Sequence, residues 1–272
     1  MSTSDKLFTG SIPEFYDRAM VPLIFEPYAR DLAERAARLA PRTLLEVAAG
    51  TGVVTRALAA ALPEQARIVA TDLNQPMLDH AQTRMAHDPR ISWRQADAQA
   101  LPFEDARFDA VVCQFGAMFF PDRVGAYGQA RRVMRPGGHF LFNVWSAIEE
   151  NEFADAVTQA LGRLFPADPP RFLARTPHGY HDADVIRADL HEAGFSDVSI
   201  DPLDAVSAAS SAHAAAAAYC QGTPLRAEIE ARGALEEATQ IAADAIAQRF
   251  GQGEVRGRIR ALVVVARKGD SQ

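Results

Sequence analysis

The chain has 272 residues, a formal net charge of −7 and a sequence isoelectric point near 5.5. Hydrophobic residues make up 48% and charged residues 23%, which is typical of a packed globular protein and argues against a disordered or fibrous one. The acidic balance also argues against nucleic acid as a partner, because binding to phosphates depends on an excess of Lys and Arg.

The first residues, Met1 to Lys6, lack the apolar run of a signal peptide. The longest late apolar run, Ala261 to Ala266, is far too short to cross a membrane. We therefore expect a cytoplasmic protein with no membrane span. The two cysteines, Cys113 and Cys220, are far apart and lack CxxC spacing, so we expect two reduced thiols, with Cys113 buried, and no disulfide framework or zinc site.

A helix is predicted ahead of the first strand. Residues Phe25 to Ala37 carry Ala, Leu, Arg and Glu at helical spacing, and Pro41 prevents the helix from continuing. We expect an N-terminal helix to precede the sheet.

Short apolar runs alternate with helix-length segments in the first half of the chain. Repetition of strand, helix and strand favours right-handed crossovers and a parallel sheet covered on both faces. Arg135 to Gly138, which reads RPGG, predicts a sharp turn into the fifth strand. The five predicted strands are Thr43–Ala48, Arg67–Thr71, Ile91–Gln95, Phe108–Gln114 and His139–Trp145.

The pattern changes after the fifth strand. Four prolines fall between residues 166 and 177, so residues 146–181 are predicted to be an insertion with only short helical stretches. Helical spacing returns from Asp182 to Ala193, with Gly194 as a C-cap before a sixth strand, Phe195 to Ile200.

A second, helical insertion is predicted over residues 204–254. It contains the alanine run Ala214 to Ala218, which indicates close helix packing, and a helical stretch from Arg226 to Phe250. A seventh strand, Arg258 to Arg267, follows it. The predicted fold class is therefore α/β, with a Rossmann-like, seven-stranded, mostly parallel sheet, helices on both faces, and helical insertions forming a cap.

The first strand runs into small residues in the segment LLEVAAGTG, from Leu44 to Gly52, and a helix is predicted from Val53 to Ala61. Such a loop lets a ligand approach the backbone and offers unpaired N–H groups to an anion. Asp72 lies twenty residues after Gly52 and can accept hydrogen bonds from both hydroxyls of a ribose. This spacing also occurs in dinucleotide-binding folds, so at this point NAD and S-adenosylmethionine both remain open.

Two further segments narrow the choice: QADAQALPF after the third strand and RFDAVVCQF in the fourth. With LEVAAGTG, ATDLN and RRVMRPGGHFLF, they make the chain resemble the class I S-adenosylmethionine-dependent methyltransferases, especially the broad group that includes ubiquinone and menaquinone methylating enzymes. The match covers Leu44 to Trp145, and AGFSDVSI and ALVVVARK extend it toward the C-terminus. The resemblance implies a single methyltransferase domain over residues 1–272, S-adenosylmethionine as cofactor, and methyl transfer to a small-molecule acceptor. The segments Phe15 to Asp17 and Phe25 to Tyr28 are similar to the leading helical segment of this family, which implies that residues 1–40 form a helical lid over the cofactor.

The resemblance also implies roles for individual residues. Glu46 and the loop 48–52 should surround the methionine portion of the cofactor, and Asp72 should hold the ribose. Leu73 and Met77 should flank the adenine, Asp97 and Ala98 should contact its edge, and Gln114 should lie beside the amino group. The expected cofactor-binding residues are Tyr16, Glu46, Ala48, Ala49, Gly50, Gly52, Asp72, Leu73, Met77, Asp97, Ala98, Gln114 and Phe115.

Ala48 departs from the family pattern, because many relatives carry glycine there. One methyl group is tolerable if the backbone keeps a negative φ.

Structural alternatives also exist for the three acids: Glu46 as a cap of a neighbouring helix, Asp72 as an N-cap or turn carboxylate, and Asp97 as part of an Asx turn.

The acceptor is expected near the carboxyl ends of the strands, where open α/β sheets bind ligands. Residues Gln114 to Phe120 and Asn143 to Trp145 should therefore border its pocket. We predict that Phe119, Trp145, His178 and Tyr180 line this pocket, which implies a partly apolar acceptor, although core packing is an alternative for Phe119 and Trp145.

No catalytic residue is assigned, because positioning of an already nucleophilic acceptor can suffice. If a proton must leave the acceptor, His178, His181 and Tyr16 are candidate bases. The spacing of the two histidines does not identify a metal site, so no metal is expected.

Two other functions remain open: a methyltransferase-like protein that binds the cofactor without catalysis, and an NAD-dependent oxidoreductase. The latter would leave Glu46 and Asp97 without a special role and would favour a fuller GxGxxG. QFGA follows the fourth strand, where nucleic-acid amino-methyltransferases carry a Pro-Pro-aromatic motif. The alanine-rich insertion suggests a homodimer, although it could equally pack on its own chain.

Overall fold

The structure is a computed structural model and describes residues 12–85 and 87–270, without the side chains of residues 12 and 13. Seven strands form one sheet, in the order β3-β2-β1-β4-β5-β7-β6. The strands are β1 (Thr43–Val47), β2 (Arg67–Asp72), β3 (Ile91–Gln95), β4 (Phe108–Gln114), β5 (Met134–Trp145), β6 (Asp197–Ala209) and β7 (Val255–Arg267). The predicted Rossmann-like α/β fold is thereby confirmed.

Eleven α-helices connect the strands in the part of the chain that is described. A π-helical turn over Val21–Phe25 joins the first two, and short 3₁₀ turns follow β4 and β5. The helices are α1 (Ile12–Met20), α2 (Glu26–Arg38), α3 (Val53–Ala61), α4 (Gln75–Arg84), α5 (Arg123–Val133), α6 (Glu152–Leu164), α7 (Phe172–Arg175), α8 (Ala183–Glu192), α9 (Ala212–Gln221), α10 (Leu225–Glu230) and α11 (Leu235–Phe250).

The direction in which successive strands are added to the sheet reverses at β1. Strands β2 and β3 extend on one side of β1, whereas β4 and β5 extend on the other, and these neighbours pair in parallel. A crevice opens at such a switch point, outside the carboxyl ends of the two central strands, and open α/β sheets bind their ligands there. The loops after β1 and β4 are therefore the place to look for a site.

Contacts divide the chain into two compact units. The sheet unit comprises residues 26–144, 181–202 and the chain from 262 onward. The helical unit comprises the chain up to residue 25, residues 145–180 and residues 203–261. The two predicted insertions, 146–181 and 204–254, fall almost entirely in the helical unit. That the whole chain is a single domain, with the insertions as a cap, stays a prediction.

Each unit has its own packed interior. In the sheet unit, α2 and α3 bury Leu32 and Leu58 in one apolar cluster with Leu44 and Ile68 of β1 and β2. In the helical unit, α9 packs against α11. The predicted alanine run lies in α9, and most of its alanines are buried. The prediction of close helix packing there is confirmed.

Several predicted boundaries were wrong. The RPGG segment lies inside β5, where the pairing with β4 is irregular and Gly137 has φ of 74°, so it is a bulge in the strand. Strand β6 runs on through Pro202 to Ala209, which an edge strand allows because proline there loses no ladder hydrogen bond. The second insertion therefore begins later than predicted.

The predicted helices also need correction. The single helix expected from Arg226 to Phe250 is two helices, α10 and α11, separated by a turn that contains Gly233. The first insertion holds α6, a full helix of 13 residues, where only short stretches were predicted. Of the helices described, none is long and apolar enough to cross a membrane.

Candidate functional site

The loop after β1 has an unusual backbone. Ala48, Gly50 and Gly52 all have positive φ, of 56°, 55° and 79°, a region that glycine adopts freely and alanine does not. The condition stated for tolerating a methyl group at residue 48, a negative φ, is therefore not met. The family's glycine at this position has a physical reason, and this chain holds an alanine in a strained conformation.

The loops after β1 and β4 touch each other. A β-carbon built on Gly116 would lie 2.6 Å from the β-carbon of Ala48 and 2.7 Å from the sulfur of Cys113. Real β-carbons do not approach so closely, so residue 116 must be glycine while residue 48 carries a methyl group. This contact defines the wall of the crevice at the switch point. Cys113 is fully buried, as predicted, and burial raises the pKa of its thiol to about 12.

Asp72, the last residue of β2, is tied to this loop. One carboxylate oxygen accepts a 2.9 Å hydrogen bond from the backbone N–H of Gly50, and the other accepts a 2.8 Å bond from that of Asn74. Burial raises the pKa of the Asp72 carboxyl, against these hydrogen bonds. The oxygen that binds Asn74 also lies 3.4 Å from the amide nitrogen of its side chain. The turn-carboxylate alternative is thus real, and a ligand hydroxyl would have to share the carboxylate with these protein donors.

The loop amides are less available to an anion than expected. The N–H groups of Ala49, Gly50 and Gly52 donate to Thr71 O, to Asp72 and to Ala49 O respectively. Three loop amides are therefore satisfied within the protein. An anionic ligand would have to compete for these three amides with their protein acceptors.

Glu46 is a buried acid beneath the loop. Its carboxyl accepts a 2.6 Å hydrogen bond from the hydroxyl of Thr55 in α3. Burial raises its pKa to about 8, and the Thr55 hydrogen bond lowers the pKa by less than burial raises it. The negative charge of Asp72 adds to the rise. A cation placed here would favour the ionised form of Glu46.

The two residues expected to flank adenine differ in exposure. Leu73 is 44% exposed, which is unusual for a large apolar side chain, whereas Met77 is buried. Asp97 is exposed, and one of its oxygens accepts a hydrogen bond from the N–H of Gln99. The Asx turn proposed as its structural alternative is therefore present, and a ligand contact by Asp97 and its neighbour Ala98 stays a prediction.

Gln114 and Phe115 close the end of β4 and are largely buried. Phe115 has φ of 49° and its ring meets that of Tyr28 edge-on, with centroids 5.3 Å apart. Asn143 of β5, which was predicted only to border the acceptor pocket, contacts both of them through its side chain. The available signal was one polar residue in the apolar run FLFNVW.

Gly52 has a packing role that was not predicted. A β-carbon at this residue would lie 3.2 Å from the Trp93 ring and 3.2 Å from the β-carbon of Ala81. Gly52 therefore lets α3 approach β3 and α4 closely, whether or not it also touches a ligand.

The predicted acceptor residues do not all lie in one unit. Phe119 belongs to the sheet unit, where it is half-buried in the turn after β4. Trp145, His178 and Tyr180 belong to the helical unit and are all buried. Tyr16, expected at the cofactor, also lies in the helical unit.

Aromatic rings form a series within the helical unit. The ring of Tyr16 lies 5.3 Å from that of Phe25, which lies 6.0 Å from that of Trp145. The Trp145 and His178 rings are 5.9 Å apart. This aromatic series joins α1 to the last residue of β5, and it includes Phe25, which was predicted only as part of the N-terminal helical lid.

His178 is held in one tautomer. Its Nδ1 lies 2.9 Å from the backbone carbonyl oxygen of Ser146, and since a carbonyl can only accept, Nδ1 is the donor. The lone pair of the neutral ring is then on Nε2. The same carbonyl accepts a hydrogen bond from the amide of Asn151, which also bonds both backbone groups of Arg260 in β7.

The residues around the crevice fit the cofactor that the resemblance implies. A β-carbon at Gly50 would meet nothing within 4 Å, so open space lies beside the loop. Leu73 offers an exposed apolar surface for a flat base, Asp72 offers acceptors for ribose, and Glu46 offers a buried acid for a positive group. Within residues 12–85 and 87–270, no group of three or more His, Cys, Asp or Glu residues is arranged to hold a metal ion.

Comparison with known proteins agrees with this geometry. A family profile described as "Methyltransferase domain" matches residues 44–138, all within the sheet unit. The chain is similar to the ubiquinone/menaquinone biosynthesis C-methyltransferase UbiE of Marinomonas, with 28% identity over 56% of this chain and 65% of that one. It is also similar to the enzyme of the same name from Escherichia coli O139:H28, with 30% identity over 58% of this chain and 67% of that one.

The match spans about two thirds of the length of these curated relatives. Among solved structures, the fold resembles that of a SAM-dependent methyltransferase from Aquifex aeolicus, with a TM-score of 0.52 and 16% identity over 70% of this chain and 88% of that one. That likeness concerns the fold alone.

Proposed function

The chain belongs to the class I S-adenosylmethionine-dependent methyltransferases, and on that premise we propose that it methylates a small, partly apolar, aromatic acceptor. The observation that carries this proposal is the aromatic series of Tyr16, Phe25, Trp145 and His178, which includes the residue at the carboxyl end of β5, Trp145. Buried aromatic faces favour flat apolar ligands, and a histidine at the end of the series supplies a polar group that can orient one.

When bound, S-adenosylmethionine supplies an electrophilic methyl group and a thioether leaving group. The sheet unit would hold it through Asp72 at the ribose, Leu73 at the base and Glu46 at the methionine portion. Glu46 and Asp72 are both buried acids, so ionising them is costly without a positive partner. A cationic ligand reduces that cost, which favours the positively charged cofactor over neutral nucleosides.

His178 would orient the acceptor, or take its proton where the acceptor has one to lose. The Ser146 carbonyl fixes its tautomer, with the lone pair on Nε2. Tyr180 and Phe119 stay predictions as further acceptor contacts. The relatives' name specifies transfer to carbon; we propose only that the acceptor chemistry is of the same aromatic kind.

Incubation of the protein with methyl-labelled S-adenosylmethionine and a panel of acceptors tests this proposal. The panel should contain phenols and quinols, apolar acceptors without rings, and polar acceptors such as amino acids and nucleosides. We expect label in the aromatic class and a lower rate for Trp145→Ala. Label in the polar class only, or in none of the classes, would contradict the proposed acceptor.

We also propose a cytoplasmic location, a homodimer, and no nucleic-acid partner. The acidic net charge of −7 supports the last of these. Cell fractionation, light scattering and a nucleic-acid retention assay test the three; membrane-bound protein, a monomeric mass or retention of nucleic acid would contradict them.

A further inference from the structure

Asn143 is a fully buried polar residue in the centre of the sheet. It pairs in register with Gln114 across β4 and β5. The backbone N–H of Phe115 is shared between two oxygens of Asn143, the backbone carbonyl and Oδ1, each 3.1 Å from the nitrogen. The Nδ2 of Asn143 lies 3.4 Å from Oε1 of Gln114. Among the residues described, one side chain thus contacts both residues that close the end of β4.

The direction of these hydrogen bonds is fixed by chemistry. The backbone N–H of Phe115 can only donate, so the atom of Asn143 that faces it must be the oxygen. The other end of the amide is then the NH₂ group, which can only donate, so Gln114 must turn its oxygen toward it. One backbone N–H thereby sets the orientation of two side-chain amides in succession.

We propose that Asn143 is a positioning residue that sets the direction of the Gln114 amide at the ligand crevice. Gln114 is the last residue of β4, which pairs with β1 at the switch point of the sheet. Two residues later, Gly116 touches Ala48 of the loop after β1. Asn143 itself is fully buried, so it acts through Gln114. The inference rests on the proposed function only for the identity of the ligand.

A double-mutant cycle with S-adenosylhomocysteine as the probe tests this role. Calorimetry would give the affinity of the wild type, Asn143→Leu, Gln114→Ala and the double variant. Loss of one side-chain orientation is expected to weaken binding about fivefold in Asn143→Leu, in line with the net worth of one hydrogen bond. In the Gln114→Ala background, Asn143→Leu should have less than about a twofold effect, because coupled residues are non-additive.

Val144→Ala is the matched control, since it truncates the next buried residue of the same strand. It should reduce thermal stability without changing affinity. If Asn143→Leu does not fold, Asn143→Ser, whose side chain is too short to reach both partners, takes its place in the cycle. In NMR spectra of the ligand-free protein, the Gln114 side-chain amide resonances should shift in the Asn143 variants and not in Val144→Ala.

The outcomes separate the two proposals. Additive effects of the Asn143 and Gln114 substitutions, or unshifted Gln114 resonances, would overturn the positioning role of Asn143. Binding of S-adenosylhomocysteine by the wild type would still support the proposed function in that case. If the wild type does not bind S-adenosylhomocysteine, the proposed function fails, and the resonance shifts in the ligand-free protein still decide the role of Asn143.

Discussion

The backbone N–H of Gly50 donates a 2.9 Å hydrogen bond to the carboxylate of Asp72. The end of β2 therefore holds the loop that follows β1, across the pair of strands that carries the candidate cofactor site. Asp72 has two tasks in this arrangement: it fixes the loop, and it is the predicted acceptor for the ribose hydroxyls.

Asp72→Ala should weaken the binding of S-adenosylhomocysteine by about 1.5–3 kcal/mol, the usual contribution of hydrogen bonds to a charged group. The substitution removes the hydrogen bond to Gly50 as well as the ribose contact, so we expect a loss near the upper end of this range. Asp97→Ala should cost less, because Asp97 is exposed. Calorimetry on folded variants measures both, and a larger loss at Asp97 than at Asp72 would reverse this ranking.

Glu46 makes the stability of the ligand-free protein depend on pH. Its pKa is raised from 4.5 to about 8 by burial, so between these values the folded protein binds more protons than the unfolded chain. Stability should therefore fall as pH rises through this window and level off above it. Denaturant unfolding across the window should show a flatter profile for Glu46→Gln, and an identical slope in both proteins would contradict the assignment.

Glu46 should also affect which ligand binds better at each pH. The sulfonium of S-adenosylmethionine is positive and the thioether of S-adenosylhomocysteine is neutral, while their amino groups are the same. If Glu46 faces the methionine portion, the ratio of the two affinities should shift toward S-adenosylmethionine as pH rises to about 8 and Glu46 ionises. Glu46→Gln is the control, and a pH-independent ratio in the wild type would place Glu46 elsewhere.

The strained alanine gives a prediction for stability. Ala48→Gly relieves a positive φ of 56°, which should stabilise the protein by about 0.5–1 kcal/mol after the greater freedom of glycine in the unfolded chain is subtracted. Gly116→Ala should be strongly destabilising, since its methyl group would overlap that of Ala48. Ala48→Gly should therefore raise the stability of the Gly116→Ala variant by more than it raises the stability of the wild type. Equal gains in the two backgrounds, measured by thermal unfolding, would show that the two residues do not interact.

The sequence predicted the central strands well because they are buried on both faces. β4 was predicted at its observed bounds and β1 and β2 within one residue, since buried parallel strands read as continuous apolar runs. The edge strand β3, with the sequence ISWRQ, has no buried residue, and its bounds were nevertheless predicted correctly. The edge strand β6 was predicted too short, because its exposed positions and Pro202 break that pattern. Edge pairing tolerates such residues, so local sequence alone does not show where the strand ends.

For the candidate site, spacing located the loop, Asp72 and Glu46, but it could not give their hydrogen bonds. The bond from Gly50 to Asp72 and the positive φ of Ala48 depend on how two strands sit side by side. Asn143 was predicted only to border the acceptor pocket, because its contacts with Gln114 and Phe115 depend on cross-strand register, which a pattern along one strand does not contain.

The most direct test of the cofactor assignment is calorimetric titration of the purified wild-type protein with S-adenosylhomocysteine, with NAD and NADP titrated in parallel. We expect saturable binding of S-adenosylhomocysteine and none of either nicotinamide dinucleotide. Binding of NAD or NADP without binding of S-adenosylhomocysteine would contradict the assignment of the β1–β4 crevice as a methyltransferase cofactor site.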